Sequence, residues 1–103
     1  EPKVILMDEP FGALDEFTRE RMNIKLLKIW GQTGGTVIFV THSIAEAVFL
    51  SSRVVIMSPR PGRITRVLDI DLPRPRSFET REDSRYFAAV TDARESLREA
   101  YEA

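Results

Sequence analysis

Three short stretches of this sequence hold residues that can do chemistry. The first is Asp8-Glu9, which ends the apolar run Val4-Ile5-Leu6-Met7 and stands directly before Pro10. Ligands of open α/β sheets bind at the carboxyl ends of strands, and a strand holds a side chain more firmly than a loop does. A carboxylate there can serve a Mg²⁺ ion that bridges phosphate oxygens. The second stretch is Gly12-Ala13-Leu14-Asp15, just after Pro10-Phe11. The third is Thr41-His42-Ser43, at the end of another apolar run, and His42 is the single histidine of the chain. Taken singly, each has a plainer account. Asp8-Glu9 can be a solvated strand end, Asp15 a helix cap, and His42 a cap or an ordinary surface residue. Position joins them. If the two runs are parallel neighbours, their C-terminal ends share one rim, and His42 falls beside Asp8 and Glu9.

The elements that must position these residues are legible as patterns. Val4–Met7 is short, continuous and apolar, so it reads as a buried strand that Pro10 stops. From Asp15 to Trp30, Met22, Leu26 and Ile29/Trp30 recur at helical spacing, with Gly31, Gly34 and Gly35 expected to end the helix. Thr36–Thr41 is a second continuous, β-branched strand. Two such strands joined by one helix predict a parallel, right-handed βαβ unit covered on both faces. Ser43 and Glu46 form an S-x-x-E capping box at the start of a short helix reaching Leu50. Arg53–Met57 is a third strand and 58–62 a turn. The alternating run Ile64–Leu72 is a strand hairpinned onto the third, with Ile64, Leu68, Ile70 and Leu72 on one face. Pro73-Arg74-Pro75-Arg76 reads as a linker. Thr80 is placed to cap a last helix whose shared face is Tyr86, Val90, Ala93, Leu97 and Tyr101. The expected division is therefore 1–72 and 73–103.

Composition narrows the partners. The 103 residues carry 15 basic and 16 acidic side chains, a formal charge of −1. That balance gives no electrostatic case for nucleic-acid binding. There is no cysteine, hence no disulfide framework. No apolar run approaches the roughly 20 residues needed to span a bilayer.

In order and spacing, Val4 through Asp15 followed by Val40-Thr41-His42-Ser43-Ile44-Ala45-Glu46-Ala47 resembles the ATP-binding subunits of ABC transporters, over the chain to about Leu72. The first block looks like their Walker B motif running into the D-loop, the second like their H-loop. The fold this resemblance implies is α/β: the C-terminal part of a RecA-like P-loop nucleotidase, a parallel sheet flanked by helices, here ending in a β-hairpin and a C-terminal helix. The implied cofactors are ATP and Mg²⁺. Asp8 matches the aspartate that serves Mg²⁺ through a bound water. Glu9 matches the glutamate that orients or deprotonates the attacking water. His42 matches the switch histidine at the γ-phosphate, and Asp15 the D-loop aspartate at the surface shared by two ATPase subunits. The implied partners are a second ATPase subunit and transmembrane permease subunits, at the cytoplasmic face of the membrane. Arg60-Pro61-Gly62-Arg63-Ile64 and Asp69-Ile70-Asp71-Leu72-Pro73-Arg74-Pro75 resemble the importer branch that serves nitrate, sulfonate and taurine.

Two departures qualify that pattern. Ser43 stands where many members have Asp, but both residues cap helices. More consequentially, no G-x-x-x-x-G-K-[ST] loop occurs. Gly31-Gln32-Thr33-Gly34-Gly35-Thr36 has no lysine and follows a helix rather than a strand. The family's Gln-containing loop and LSGGQ-type signature are absent as well. The chain is therefore expected to be part of a longer subunit, inactive by itself, with an open sheet edge prone to strand exchange with a second copy. Two other readings remain: a non-transport ABC ATPase of DNA repair or translation, and a module that only docks or dimerises.

Overall fold

In the computed structural model, which describes residues 3–102, the apolar runs become strands β1 (Val4–Asp8) and β2 (Thr36–Val40). They pair in parallel, in the register Val4↔Thr36 through Asp8↔Val40. Helix α1 (Glu16–Thr33) makes the crossover. Asp15 starts it as N-cap: one carboxylate oxygen accepts the Thr18 N–H at 2.8 Å and the other the Thr18 hydroxyl at 3.0 Å. The helix runs through Gly31 instead of ending there. A single glycine weakens a helix by about 1 kcal/mol without breaking its ladder. The break comes at Gly34 (φ 71°) and Gly35 (φ 89°), where positive φ suits glycine. A Cβ on Gly35 would also meet the Lys3 carbonyl oxygen at 2.9 Å, so the return onto β1 admits no side chain.

Coverage of this pair is one-sided, contrary to expectation. On one face Phe39 packs against Phe11 and Trp30, with ring centroids 6.2 and 6.1 Å away. On the other, Val4, Leu6, Ile38 and Val40 are 64, 67, 51 and 42% exposed. Among the described residues no helix reaches that face. The stripe that α1 presents to the core is likewise rotated from the expected one. Ile24, Leu27 and Trp30 pack inward, Ile29 is exposed, and Asn23 is fully buried.

The main core lies elsewhere. Helix α2 (Ile44–Leu50) contributes Val48, Phe49 and Leu50. Strands β3 (Arg53–Met57) and β4 (Ile64–Asp69) form a separate antiparallel hairpin, which contributes Val54, Ile56 and Leu68, with Ile70 and Leu72 beyond it. Helix α3 (Ser84–Glu102) closes the core with Tyr86, Ala93 and Ala100, so the C-terminal helix docks on α2 and on the hairpin. Two expected core residues stay outside. Ile64 is exposed because the hairpin register slips between Ile56 and Met57. Tyr101 is exposed because the buried stripe of α3 runs through Ser96 and Ala100.

Thr80 does not cap α3. It belongs to a 3₁₀ turn (Phe78–Glu82), where it and Ser77 satisfy one another's backbone groups. Asp83 serves the start of α3 instead. Its carboxylate accepts the Arg85 N–H at 2.8 Å and the Arg85 guanidinium at 2.7 and 3.1 Å. These bonds, the side-chain ones foremost, lower its pKa from 3.8 to about 2. A depressed carboxyl pKa stabilises the fold above the ordinary value, and that contribution is lost as pH falls through the folded one. The melting temperature of the native protein minus that of Asp83→Asn should therefore be flat above pH 3.8 and shrink towards pH 2. A difference that does not vary across that window removes Asp83 from the fold's acid response.

The Pro73–Arg76 stretch, expected as a linker, is fastened to the end of α2. Helix α2 has no basic residue in its own last turn, and its last carbonyls need partners. Arg76, 6% exposed, donates to the carbonyls of Val48, Phe49, Ser51 and Leu72 at 3.4, 3.0, 2.7 and 3.2 Å. Arg74 donates to the Leu50 carbonyl at 3.1 Å and to the Ser52 hydroxyl at 3.3 Å.

Candidate functional site

The parallel register places the ends of β1 and β2 side by side, and the residues that carry the chemistry lie just beyond them, Glu9 one residue after β1 and His42 two residues after β2. Glu9 donates its N–H to the Val40 carbonyl at 2.8 Å, one last rung of the ladder. It then turns with φ 51°, the single positive φ of a non-glycine residue among those described. That conformation costs about 1–2 kcal/mol for an L-residue, and strain of this kind concentrates where function over-determines the backbone. The turn aims the Glu9 carboxylate across the rim. One oxygen lies 2.9 Å from His42 Nε2, and the other accepts the His42 N–H at 3.4 Å. The His42 side chain is 92% exposed and that of Glu9 31%, so the imidazole faces open solvent, tethered only by the carboxylate.

Behind His42 the loop is held from within. The Thr41 hydroxyl donates to Glu46 Oε1 at 2.6 Å and accepts the Ser43 N–H at 3.0 Å. The Ser43 hydroxyl accepts the Glu46 N–H at 3.2 Å, which is half of the expected capping box. The other half is not made. The Glu46 carboxylate turns inward, where Asn23 Nδ2 donates to its second oxygen at 3.0 Å. On the opposite wall Arg19 reaches back from α1 to the carbonyls of Phe11 (3.4 Å) and Leu14 (3.1 Å) and fastens the loop that follows β1.

These residues line a cleft of about 310 Å³ formed by Glu9, Gly12, Arg19, Thr41, His42, Ser43 and Glu46. Of the four residues singled out in the sequence, Glu9 and His42 meet in it. Asp8 stands next to Glu9 on the same strand end, but is not part of the lining. Asp15 also lies outside the lining, and its carboxylate is engaged by Thr18, whose N–H is the main reason its pKa is lowered. Arg19, Glu46 and Asn23 carry no sequence signal of a place at the site, and Thr41 is marked only as the neighbour of His42. Glu46 could be seen only as a cap, and nothing marks Asn23 as buried.

Among the described residues no three His, Cys, Asp or Glu side chains converge as a protein-only metal cage. A lone carboxylate at a strand end fits a cation that keeps several waters and takes its other ligands from phosphate oxygens, the usual coordination of Mg²⁺. The site thus presents a carboxylate able to polarise a water and, within hydrogen-bond distance, an exposed imidazole able to donate to an anion.

No protein-family model matches the chain. The aliphatic sulfonates import ATP-binding protein SsuB of Bacillus cereus is 57% identical over 77 residues, 75% of this chain and 31% of the relative. An uncharacterised ABC transporter ATP-binding protein of Methanocaldococcus jannaschii is 57% identical over 76 residues, 74% of this chain and 28% of the relative. The taurine import ATP-binding protein TauB of Rhizobium johnstonii is 44% identical over an alignment covering 96% of this chain and 42% of the relative. This chain belongs to the ATP-binding proteins of ABC transporters. It spans between 28 and 42% of the length of these curated relatives. The parallel pair, the hairpin and the C-terminal helix are consistent with part of an ABC ATPase domain. No described helix is long and apolar enough to cross a membrane.

Proposed function

We propose that the full-length protein hydrolyses ATP to drive solute import through membrane permease subunits, with this chain supplying the side of the site that acts on the terminal phosphate. The observation that carries the reading is the 2.9 Å contact between Glu9 and His42 on the rim of a parallel strand pair, in a chain so similar to import ATP-binding proteins. Glu9 orients the attacking water and accepts its proton. His42 donates to the terminal phosphoryl group. Asp8 would hold a hydrated Mg²⁺, which would supply charge neutralisation at the phosphate oxygens. Phosphoryl transfer needs little else from a protein than positioning and charge stabilisation. The main grip on the phosphates belongs to residues outside this sequence, because it contains no Walker A loop. β1 and β2 then join a RecA-like parallel sheet, whose other elements cover the bare face of Val4, Leu6, Ile38 and Val40. Asp15 faces a second ATPase subunit. The names of the relatives point to sulfonates or taurine as the imported class, and the protein works at the cytoplasmic face of the membrane.

His42→Ala tests this reading. The side chain is 92% exposed, so the fold should survive. Turnover in the full-length protein should fall about 10²–10³-fold through loss of one transition-state donor, with ATP affinity changed only a few-fold. Unchanged turnover with a large loss of ATP affinity would make His42 a ground-state binder and remove it from the chemistry.

A further inference from the structure

The exposed His42 ring is tethered only to Glu9, yet the peptide that carries it is tied to a buried chain of polar groups that ends in the C-terminal segment. Arg81 Nη2 donates to Asn23 Oδ1 at 3.3 Å. Asn23 Nδ2 donates to Glu46 Oε2 at 3.0 Å. Thr41 donates to Glu46 Oε1 at 2.6 Å and accepts the Ser43 N–H at 3.0 Å. Asn23 is 1% and Glu46 4% exposed, so water cannot readily substitute for a lost partner. We propose that Glu46 and Arg81 are positioning residues for the His42 loop, coupling its geometry to the segment that follows the hairpin.

The direction of each bond is dictated by chemistry. A carboxylate only accepts, so Asn23 must turn its NH₂ group to Glu46 and its oxygen to Arg81, which only donates. The single Thr41 hydroxyl proton goes to Glu46, which leaves the oxygen lone pairs to receive the Ser43 N–H. The network therefore has one arrangement, and it fixes the residues on either side of His42. Arg81 is itself held in place. Its guanidinium lies 3.8 Å over the Phe49 ring, and it donates to the Tyr86 hydroxyl at 3.5 Å. That hydroxyl in turn donates to the Ala45 carbonyl at 3.3 Å. One donor is left over, since the buried Arg81 Nε finds no acceptor; the paired members still specify one geometry, and losing a further partner from a buried network is costly.

Glu46→Gln should break this logic while conserving shape. Its amide must face either Thr41 or Asn23 as a second donor. Turning Asn23 to accept it would set the Asn23 NH₂ group against Arg81. Arg81→Met removes the far end of the chain and leaves the Asn23 oxygen unpaired. Arg81→Lys keeps a donor.

The test is hydrogen exchange at the His42 and Ser43 amides of the full-length protein, beside the hairpin amides of Val54 and Ile56. In Glu46→Gln and in Arg81→Met the loop amides should exchange about tenfold faster, the order expected for loss of one hydrogen bond. Hairpin exchange should stay unchanged, and Arg81→Lys should restore most of the protection. Loop exchange unaltered in Arg81→Met would overturn the proposal, as would equal acceleration throughout the molecule. If Glu46→Gln fails to fold, Thr41→Val and Arg81→Met carry the same comparison. The catalytic consequence rests on the proposed ATPase function. In the same variants kcat should fall with ATP affinity little changed. Should His42→Ala leave turnover intact, the ATPase reading of His42 fails, and the exchange data still decide the positioning of the loop.

Discussion

Glu9→Gln in the full-length protein is expected to abolish steady-state ATP hydrolysis while leaving ATP bound. The substitution is nearly isosteric. A glutamine oxygen can still accept the His42 N–H that Glu9 Oε1 accepts at 3.4 Å, so the rim should keep its shape. On the proposed role of Glu9, it removes the negative charge that would polarise the attacking water. General-base help of this kind is worth about 10²–10⁴-fold in rate, or roughly 3–5 kcal/mol. The turn at φ 51° sharpens the prediction. If Glu9 were only a strand terminus, a residue more tolerant of that conformation would serve better, and Glu9→Asn or Glu9→Gly would stabilise the protein at no catalytic loss. We expect the stability gain and the loss of activity together. If two subunits close around ATP with Asp15 near their shared surface, the Gln variant should also accumulate as an ATP-dependent dimer in size-exclusion chromatography. Near-normal phosphate release would remove Glu9 from catalysis. Lost release without a dimer would leave its catalytic role standing and refute the two-subunit mechanism.

The parts of this site that could be read in advance are those set by chain direction. Two β-branched apolar runs joined by a helix leave little choice but a parallel pair, and a parallel pair necessarily brings residue 9 and residue 42 together. Caps that depend on neighbours three residues away were legible too. Asp15 and Ser43 both accept the N–H they were placed to accept. What failed were inferences that required knowing the tertiary partner. Glu46 looks like a capping-box residue, yet buried Asn23 and Thr41 offer its carboxylate two donors, where the Ser43 N–H offers one. Nothing in the spacing marks Asn23, and only the carboxylate opposite explains why it is among the most buried side chains. The strand pair fails as a two-sided buried layer because apolar composition says that a face wants cover, not that the cover lies within the same 103 residues. Pro73-Arg74-Pro75-Arg76 shows the same limit. Two prolines and two arginines describe a linker until the open end of a helix is found within reach of the guanidinium groups.

That clamp leads to the largest stability effect we expect. Arg76→Met should destabilise the full-length protein by about 2–4 kcal/mol, because buried carbonyls that lose their donor each carry a desolvation penalty of roughly 1–3 kcal/mol. Methionine fills most of the volume of the stem, so the loss is of hydrogen bonds and not of packing. Four carbonyls depend on this one side chain, and three of them lie at the C-terminal end of α2, where a positive charge is also favoured by the helix dipole. A countervailing term keeps the expected loss below the sum of four such penalties. Burial disfavours the guanidinium charge, and nearby Arg74 adds to this, together lowering the Arg76 pKa to about 10; its Nε finds no acceptor. Removing the charge relieves that cost while stranding the carbonyls. Arg76→Lys should fall between the native protein and the Met variant, since an ammonium cannot span four carbonyls with a planar fork. Arg74→Met should cost well under half as much, because its contacts are fewer and partly solvated. Denaturant unfolding of the three variants beside the native protein gives the ordering directly. Arg76→Met within about 0.5 kcal/mol of native, the scatter typical of surface substitutions, would mean that the carbonyls at the end of α2 find water as readily as arginine. Arg74 and Arg76 would then lie against the helix without holding it.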